Sequence, residues 1–319
     1  MAGAAHDFLI VGLGAVTQTH IRVLEQIPGA EIIAGVDTSG HSGLEFRGQA
    51  IPVYATLGQA RDHHDPGIVV VATPTPTHAA VCGAVARCFP AARTLVEKPV
   101  ADNLADARHV LSGIGRSQPV DVAYHMAFSP EVAWGVQITQ ARAADLGTPT
   151  AIESSFTDPY QDESSARARF TSSWIDSGIN ALSVLNRFTE VARRRSLRSL
   201  GEAGWSAFEA RLVCRAYGSE LEALILTSWH VTDAAKTTRI RYESGAEVIM
   251  DHTAVAGYLI QDGQITGFFG SDRSVPRRER HYRALYQWWL TDGNRIASRE
   301  THLRLHEMLL KPEDNAPAR

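Results

Sequence analysis

Phe8-Leu9-Ile10-Val11-Gly12-Leu13-Gly14-Ala15-Val16-Thr17 is the stretch whose reading decides the fold. Its first four residues are apolar without alternation, the pattern of a parallel strand covered on both faces. Two glycines follow, and Ile21, Leu24 and Ile27 then recur at helical spacing. A strand, a glycine turn and a helix in that order can receive a pyrophosphate. Gly12 permits the tight turn, Gly14 lets backbone approach the ligand, and the helix N-terminus offers N–H groups with a partial positive charge. Thr17 stands where a third glycine would complete the motif.

The next strand, Glu31 to Val36, ends in Asp37, about 20 to 25 residues past the glycines, where a carboxylate accepts hydrogen bonds from an adenosine ribose. Thr38-Ser39 supplies no arginine for a ribose 2′-phosphate, so NAD is expected in preference to NADP. Residues 40–64 read as a variable helix and loop. Ile68 to Ala72 is another continuous apolar strand, followed by Thr73-Pro74-Thr75-Pro76-Thr77-His78, whose prolines delay the next helix and whose Thr77 is placed to cap it. Thr94 to Val100 then ends a short strand in Glu97-Lys98-Pro99, setting one cation at the rim of a sheet, where open α/β sheets bind ligands. A helix through Leu104 and Leu111 and a sixth strand at Pro119 to Ala123 complete a doubly wound parallel sheet, an α/β nucleotide-binding domain over residues 1–124.

The 319 residues leave room for a second domain, 125–319. Composition is that of a globular protein, 44% hydrophobic and 21% charged. With 31 basic against 35 acidic residues and a net charge of -4, no basic footprint for nucleic acid or an anionic membrane is present. No apolar run reaches the roughly 18 residues of a membrane span, and residues 1–7 read as a polar leader without secretory pattern, so a cytoplasmic location is expected. Cys82, Cys88 and Cys214 match neither a zinc site nor a redox pair and read as reduced thiols; no metal is expected.

In the second domain, a helix after Pro130 leads to a strand at Thr150 to Thr157 with Ile152, Ser154 and Phe156 on one face. Glu153, on the other, either points into a site or is an exposed strand residue. Residues 158–173 suit a polar loop. Trp174-Ile175-Asp176-Ser177-Gly178-Ile179-Asn180-Ala181-Leu182 predicts a helix starting near Ser177, with Asp176 at its cap and Asn180 one turn in. Arg193-Arg194-Arg195 with Arg198 reads as a solvated helix end. From Phe208 to Phe269 the pattern is mainly antiparallel strand, although Phe208 to Tyr217 could pass for helix; Ser244-Gly245 and Asp262-Gly263 are hairpin turns. The expected second domain is α+β with a large open sheet able to associate into a homodimer or homotetramer. A helix at about 280–292, carrying Tyr282, Leu285 and Trp289, another near 300–310, and a frayed tail at 311–319 close the chain.

Gly12-x-Gly14 with His20, the Val71-Ala72-Thr73-Pro74 to His78 run and Glu97-Lys98-Pro99 resemble the Gfo/Idh/MocA oxidoreductases, with a Rossmann domain and sugar or cyclitol substrates. The resemblance implies cofactor contacts at Gly12, Gly14, Ala15, Val16, Asp37, Thr73, Pro74, Thr75, His78, Glu97 and Lys98, and a lysine, Lys98, that reaches the reacting oxygen. Many such proteins carry arginine soon after the sixth strand. Tyr124-His125-Met126-Ala127-Phe128 stands there, which disfavours a phosphorylated or acidic substrate. Asp176-x-Gly178-x-Asn180 occupies the place of an Asp-x-Gly-x-His base segment. An amide orients a hydroxyl but cannot take its proton at neutral pH.

That segment, with His125 and Trp229, is similar to the aldose 1-dehydrogenase branch, although Ser298-Arg299-Glu300-Thr301-His302 departs from its usual pattern. The resemblance implies Asp176 and Asn180 as the catalytic pair with Lys98 close by to complete the catalytic group, and His125, Glu153 and Trp229 as substrate contacts, with Trp229 either stacking on a pyranose or lying in the core; Tyr282, on the final helix, is a further expected substrate contact. The expectation is NAD(P)-dependent oxidation of an aldose C1 hydroxyl to the lactone, with Asp176 or a desolvated Lys98 as proton acceptor. A same-family enzyme acting on an inositol, amino sugar or keto sugar, and a non-catalytic NAD- and sugar-binding regulator, are the alternatives.

Overall fold

The computed structural model describes residues 6–40, 43–160, 171–200, 204, 206–291 and 294–312. Residues 1–5 of the leader, 161–170 of the polar loop, 292–293 at the end of the expected penultimate helix and 313–319 of the tail lie outside the described residues. The chain forms two compact units, Met1–Tyr124 with Tyr282–His306, and His125–His281 with Glu307–Arg319. The first unit is therefore discontinuous in sequence.

Its strands are β1 (His6–Val11), β2 (Ala30–Val36), β3 (Leu44–Phe46), β4 (Gln49–Ile51), β5 (Val53–Tyr54), β6 (Ile68–Val71), β7 (Arg93–Val96) and β8 (Val120–Val122); its helices include α1 (Thr17–Leu24), α2 (Leu57–Arg61), α3 (His78–Cys88) and α4 (Leu104–Arg108). Six strands form a parallel sheet in the order β5-β2-β1-β6-β7-β8, while β3 and β4 pair as a small hairpin within the segment expected to be helix and loop. Phe8, Leu9, Ile10 and Val69 to Val71 are 0% exposed, as continuous apolar strands covered on both faces require. Helix α1 buries most of its residues, Thr17, Thr19, His20, Ile21, Val23 and Leu24. Thr77 does not cap α3: its hydroxyl donates backwards to Pro74 O at 2.7 Å and bonds Thr73 Oγ1 at 2.9 Å.

The second unit contains α5 (Pro130–Ala141), α6 (Ala143–Leu146), β9 (Pro149–Thr157), α7 (Ile179–Leu185), β10 (Glu190–Ser199), β11 (Ala207–Ala216), β12 (Ser219–Ser228), β13 (Ala235–Tyr242), β14 (Glu247–Asp251), β15 (Ala256–Gln261) and β16 (Gln264–Gly270). These eight strands run β10-β11-β12-β9-β13-β14-β15-β16, antiparallel except where β12 meets β9. The arginine run is a strand, not a helix end. Arg193 and Arg195 point outward to Glu220 and Glu222, and Arg198 to Glu209, whereas Arg194 turns the other way and donates to the carbonyls of Met308, Lys311 and Pro312. The two expected glycine turns sit between β13 and β14 and between β15 and β16.

Two helices end the chain, α8 (Arg277–Trp289) and α9 (Arg299–Leu310). In the first unit they converge on Asp121 of β8, which is 0% exposed and accepts from Trp289 Nε1 at 2.9 Å, Arg295 Nε at 2.7 Å and Ile296 N at 3.1 Å, with His302 Nε2 at 3.3 Å. Burial alone would raise this carboxyl's pKa, but His302, Arg295 and Trp289 outweigh it and hold it below the ordinary value. Its contribution to stability is therefore complete above the unfolded-state pKa and is lost as pH falls through the lower folded-state one. Asp121→Ala leaves buried donors unpaired and is expected to cost about 3–5 kcal/mol in urea denaturation; the loss relative to wild type should shrink as the pH is taken below the ordinary carboxylate range.

Candidate active site

The glycine turn is shaped by what lies against it. Gly12 has φ +89°, and a Cβ there would come within 2.8 Å of Thr73 N and Cγ2, so both conformation and space demand glycine. Around Gly14 nothing lies within 4 Å of such a Cβ, leaving room for a ligand's backbone approach. Thr17, in the third glycine's place, is buried and donates to Gly12 O at 2.6 Å, tightening the turn from inside the helix. Helix α1 begins at Thr17, and Val16 before it offers no side-chain cap, so its first-turn N–H groups are not taken by one.

Asp37 ends β2 and accepts from Leu13 N and from Ser39 N, each at 2.7 Å, as well as from the Ser39 hydroxyl. One carboxylate thus ties the glycine loop to the second strand and puts negative charge where a 2′-phosphate would have to sit. Thr73, Pro74 and Thr75 turn from β6 into a short 3₁₀ segment, Thr75–Thr77. The His78 ring bridges Thr73 O at 2.7 Å and Pro99 O at 3.0 Å. Burial lowers its pKa despite those two carbonyls. Glu97 is buried: its Oε1 accepts from Tyr282 OH at 2.6 Å and from His20 Nε2 at 3.1 Å. Burial would raise its pKa, but His20, Tyr282 and the adjacent Lys98 charge bring it below the ordinary value. Lys98, the next residue, is half-buried. The residues of this unit fit an NAD molecule by their cleared space at Gly14 and their uncapped helix start.

In the second unit the Asp176 segment departs from the expected cap. Trp174–Gly178 is a π-helical turn that runs into α7, so Asp176 lies within the helix rather than before it. A Cβ on Gly178 would meet the Trp174 ring at 2.7 Å, and that indole donates from Nε1 to Leu309 O at 2.8 Å. The glycine thus lets Trp174 fold back under the turn. Asp176 is half-buried, and Asn180 follows one turn later with its Nδ2 3.4 Å from Asp176 O. The Asn180 amide oxygen is buried and has no hydrogen-bond partner among the described residues.

Sequence reasoning missed the pair beside this segment. Lys236 Nζ lies 2.6 Å from Asp158 Oδ1 with both side chains nearly buried, and Ser177 Oγ donates to Asp158 Oδ2 at 3.4 Å. Burial lowers the Lys236 pKa, opposed by Asp158 and by the Asp176 charge. The available signal was an aspartate directly after the β9 pattern.

The other expected substrate contacts have the following surroundings. His125 stacks on His281 with ring centroids 5.7 Å apart. Trp229 is 0% exposed, with Tyr160 edge-on at 5.7 Å, the core alternative of its two readings. Glu153 pairs with Arg241 at 3.0 Å on the exposed sheet face, so it is the exposed strand residue of its two readings. Tyr282 is 2% exposed and directs its hydroxyl to Glu97. Among the described residues, no cluster of His, Cys, Asp and Glu could hold a metal ion, and no helix is long and apolar enough to cross a membrane.

Residues 6–121 match the model of an oxidoreductase family with an NAD-binding Rossmann fold, Gfo/Idh/MocA. The first unit is thus a Rossmann-type domain similar to the NAD-binding domains of that family. The rhizopine catabolism protein MocA of Rhizobium meliloti is 29% identical over 174 residues, 54% of this chain and 53% of that protein. The chain's match thus spans about half the length of that curated relative. Among solved structures, an Agrobacterium radiobacter oxidoreductase in complex with NAD+, L-tartaric acid and magnesium superposes with a TM-score of 0.77 at 14% identity, covering 96% of this chain and 94% of that one. The UDP-N-acetylglucosamine 3-dehydrogenase GnnA of Acidithiobacillus ferrooxidans does so with 0.69 at 16% identity, covering 94% of each. At these identities the likeness is one of fold.

Gly12→Ala forces a side chain into a left-handed backbone and against Thr73, a strain of about 1–3 kcal/mol. NAD affinity, measured by fluorescence titration, is expected to fall by about ten- to hundredfold; an unchanged dissociation constant would separate this turn from the cofactor.

Proposed function

We propose that the chain is an NAD-dependent dehydrogenase that oxidises the anomeric C1 hydroxyl of an aldose to the lactone. The observation that carries this reading is the Asp176-x-Gly178-x-Asn180 turn, in which an amide with an unpartnered oxygen replaces the usual imidazole. Bound NAD supplies the hydride acceptor. The chain's own task is then to bind, orient and deprotonate a hydroxyl.

Asn180 Oδ1 accepts a hydrogen bond from a substrate hydroxyl and fixes its direction, but it takes no proton. The proton-accepting candidates are Asp176 in the second unit and Lys98 in the first. An anomeric hydroxyl is more acidic than an ordinary alcohol, so the reaction demands less of its base than oxidation of a secondary alcohol does. This lesser demand is compatible with the loss of histidine. Lys236, held by Asp158 beside Asp176, keeps cationic charge close to the carboxylate that would receive the proton. We also propose a homodimer or homotetramer built through the second unit's sheet, where Ile265 and Phe268 of β16 are 61% and 64% exposed. The proposed location is the cytoplasm.

Lys98→Ala and Asp176→Ala are each expected to lower turnover by about 10²–10⁴-fold with NAD affinity retained, in an assay following cofactor reduction over a panel of aldoses, inositols and amino sugars. Wild-type turnover in either variant removes that residue from the mechanism, and reduction by inositols but not aldoses replaces the substrate class. Phe268→Asp should move the sedimentation coefficient toward that of the monomer; an unchanged value would place the interface elsewhere.

A further inference from the structure

Lys98 lies in a stretch of backbone that is pinned on both sides. Before it, Glu97 N donates to Val71 O at 2.9 Å, and the Glu97 carboxylate is held by Tyr282 and His20. His20 is itself paired through Nδ1 with Tyr286 OH at 2.8 Å, and its ring packs edge-on against Tyr282 at 4.8 Å. After it, Pro99 O meets His78 Nδ1 at 3.0 Å, and Val100 N donates to His306 Nε2 at 3.0 Å. His306 Nδ1 lies 2.8 Å from His302 O, so it carries the proton and Nε2 is the acceptor that Val100 needs. All these groups belong to the first unit.

The geometry has a direct consequence for the lysine. Lys98 sits half-buried in the bend that follows the strand, between a buried Glu97 whose side chain is held and a Pro99-Val100 pair whose backbone is held, so the backbone from which it projects is fixed on both sides. Two of the locking groups, Tyr282 and His306, come from α8 and α9, far along the chain from Lys98.

We propose that Tyr282 and His306 are positioning residues for Lys98, acting through Glu97 and through the Val100 amide. The inference rests on the reading of Lys98 as the hydroxyl-handling lysine. Burial lowers the His306 pKa to about 4, so its acceptor nitrogen persists through the neutral range and is lost in acid. The groups that face His306 are Tyr124 (OH at 3.4 Å), His302 and His78; Asp121, which pairs with His302, lies behind them.

Only Lys98, Lys236 and Lys311 are lysines, so reductive ¹³C-methylation gives an NMR spectrum in which Lys98 is assigned by Lys98→Arg. In the wild-type protein the two methyl groups of a held Lys98 should be inequivalent. In Tyr282→Phe and in His306→Leu they should merge, while His306→Gln, whose amide oxygen can accept from Val100, should restore two signals. In steady state both disrupting variants should lower kcat by at least about tenfold, with the NAD dissociation constant within about twofold of wild type and with kcat restored by His306→Gln. If His306→Leu does not fold, Tyr282→Phe, which removes one oxygen atom, decides the matter. Unchanged Lys98 signals in a folded Tyr282→Phe, or a kcat loss matched by an equal loss of NAD affinity, would overturn the proposal. Merged signals in a protein that reduces NAD with no sugar would leave the positioning intact and refute the dehydrogenase reading instead.

Discussion

A buried carboxylate must either find donors or take up a proton, and two such groups govern how the first unit is built. Glu97 follows β7 and Asp121 lies in the neighbouring strand β8, and both stay below their ordinary pKa values because hydrogen bonds and positive charge outweigh the cost of burial. Their partners are delivered mainly by the segment from Tyr282 to His302, 168 to 185 residues away for the closest pairs. A unit organised in this way cannot be completed by residues 1–124 alone. The returning helices complete the electrostatics of the sheet as well as covering it with Leu285, Tyr286 and Trp289, each 0% exposed.

This dependence explains where the sequence was legible and where it was not. The parallel strands could be read because double-sided burial writes itself as Phe8 to Val11 or Ile68 to Val71 with no polar interruption, and the glycine turn because Gly12 answers a local demand, φ +89°. The fate of Glu97 could not be read. A carboxylate in a Glu-Lys-Pro triplet looks like a rim residue next to a cofactor, and only the arrival of Tyr282 from far down the chain turns it inward. The Tyr282 to Glu97 contact was hidden for the same reason: the helical face of Tyr282 could be read, but its partner belongs to another part of the sequence. The domain boundary after residue 124 carried the same blind spot, since Tyr282–His306 belongs to the first unit.

The arginine run shows a second kind of failure. Alternation is the mark of a strand, but four arginines at 193, 194, 195 and 198 present no alternation of residue type. The alternation is instead one of partners. Outward arginines meet glutamates on β11 and on β12, one strand beyond it, and Arg194 meets backbone carbonyls at the end of α9. Exposed pairs of this kind contribute little stability each, commonly less than about 1 kcal/mol. Their role in register is clearer: Arg198 faces Glu209 across β10 and β11, and Arg215 faces Glu220 across β11 and β12, pairs that a slip by one residue would separate. On the inner side, Glu131 accepts from Ser129 Oγ at 2.5 Å and lies 2.7 Å from His252 Nδ1, and His252 continues through Thr238 to Ser154. That polar chain joins two strands, the turn after β14 and a helix, whose individual sequences mark none of its members.

The charge balance around Asp176 bears on what the second unit accepts. Lys236 feels Asp158, Asp176 and Arg277 together, two cations and two carboxylates. An anionic substrate group placed there would meet no surplus of positive charge, and it would lose hydration without a full replacement. A hydroxyl-bearing neutral molecule faces a different setting: the ammonium of Lys236 has protons beyond the one directed at Asp158, the carboxylates accept, and Asn180 Oδ1 is an acceptor in need of a donor. Each hydroxyl both gives and receives a hydrogen bond, so it can satisfy such a cluster without changing its charge. On the proposed dehydrogenase reading, the neutral balance around Asp176 suits a polyhydroxy substrate better than a sugar phosphate or sugar acid, in agreement with the absence of arginine in the Tyr124 to Phe128 stretch.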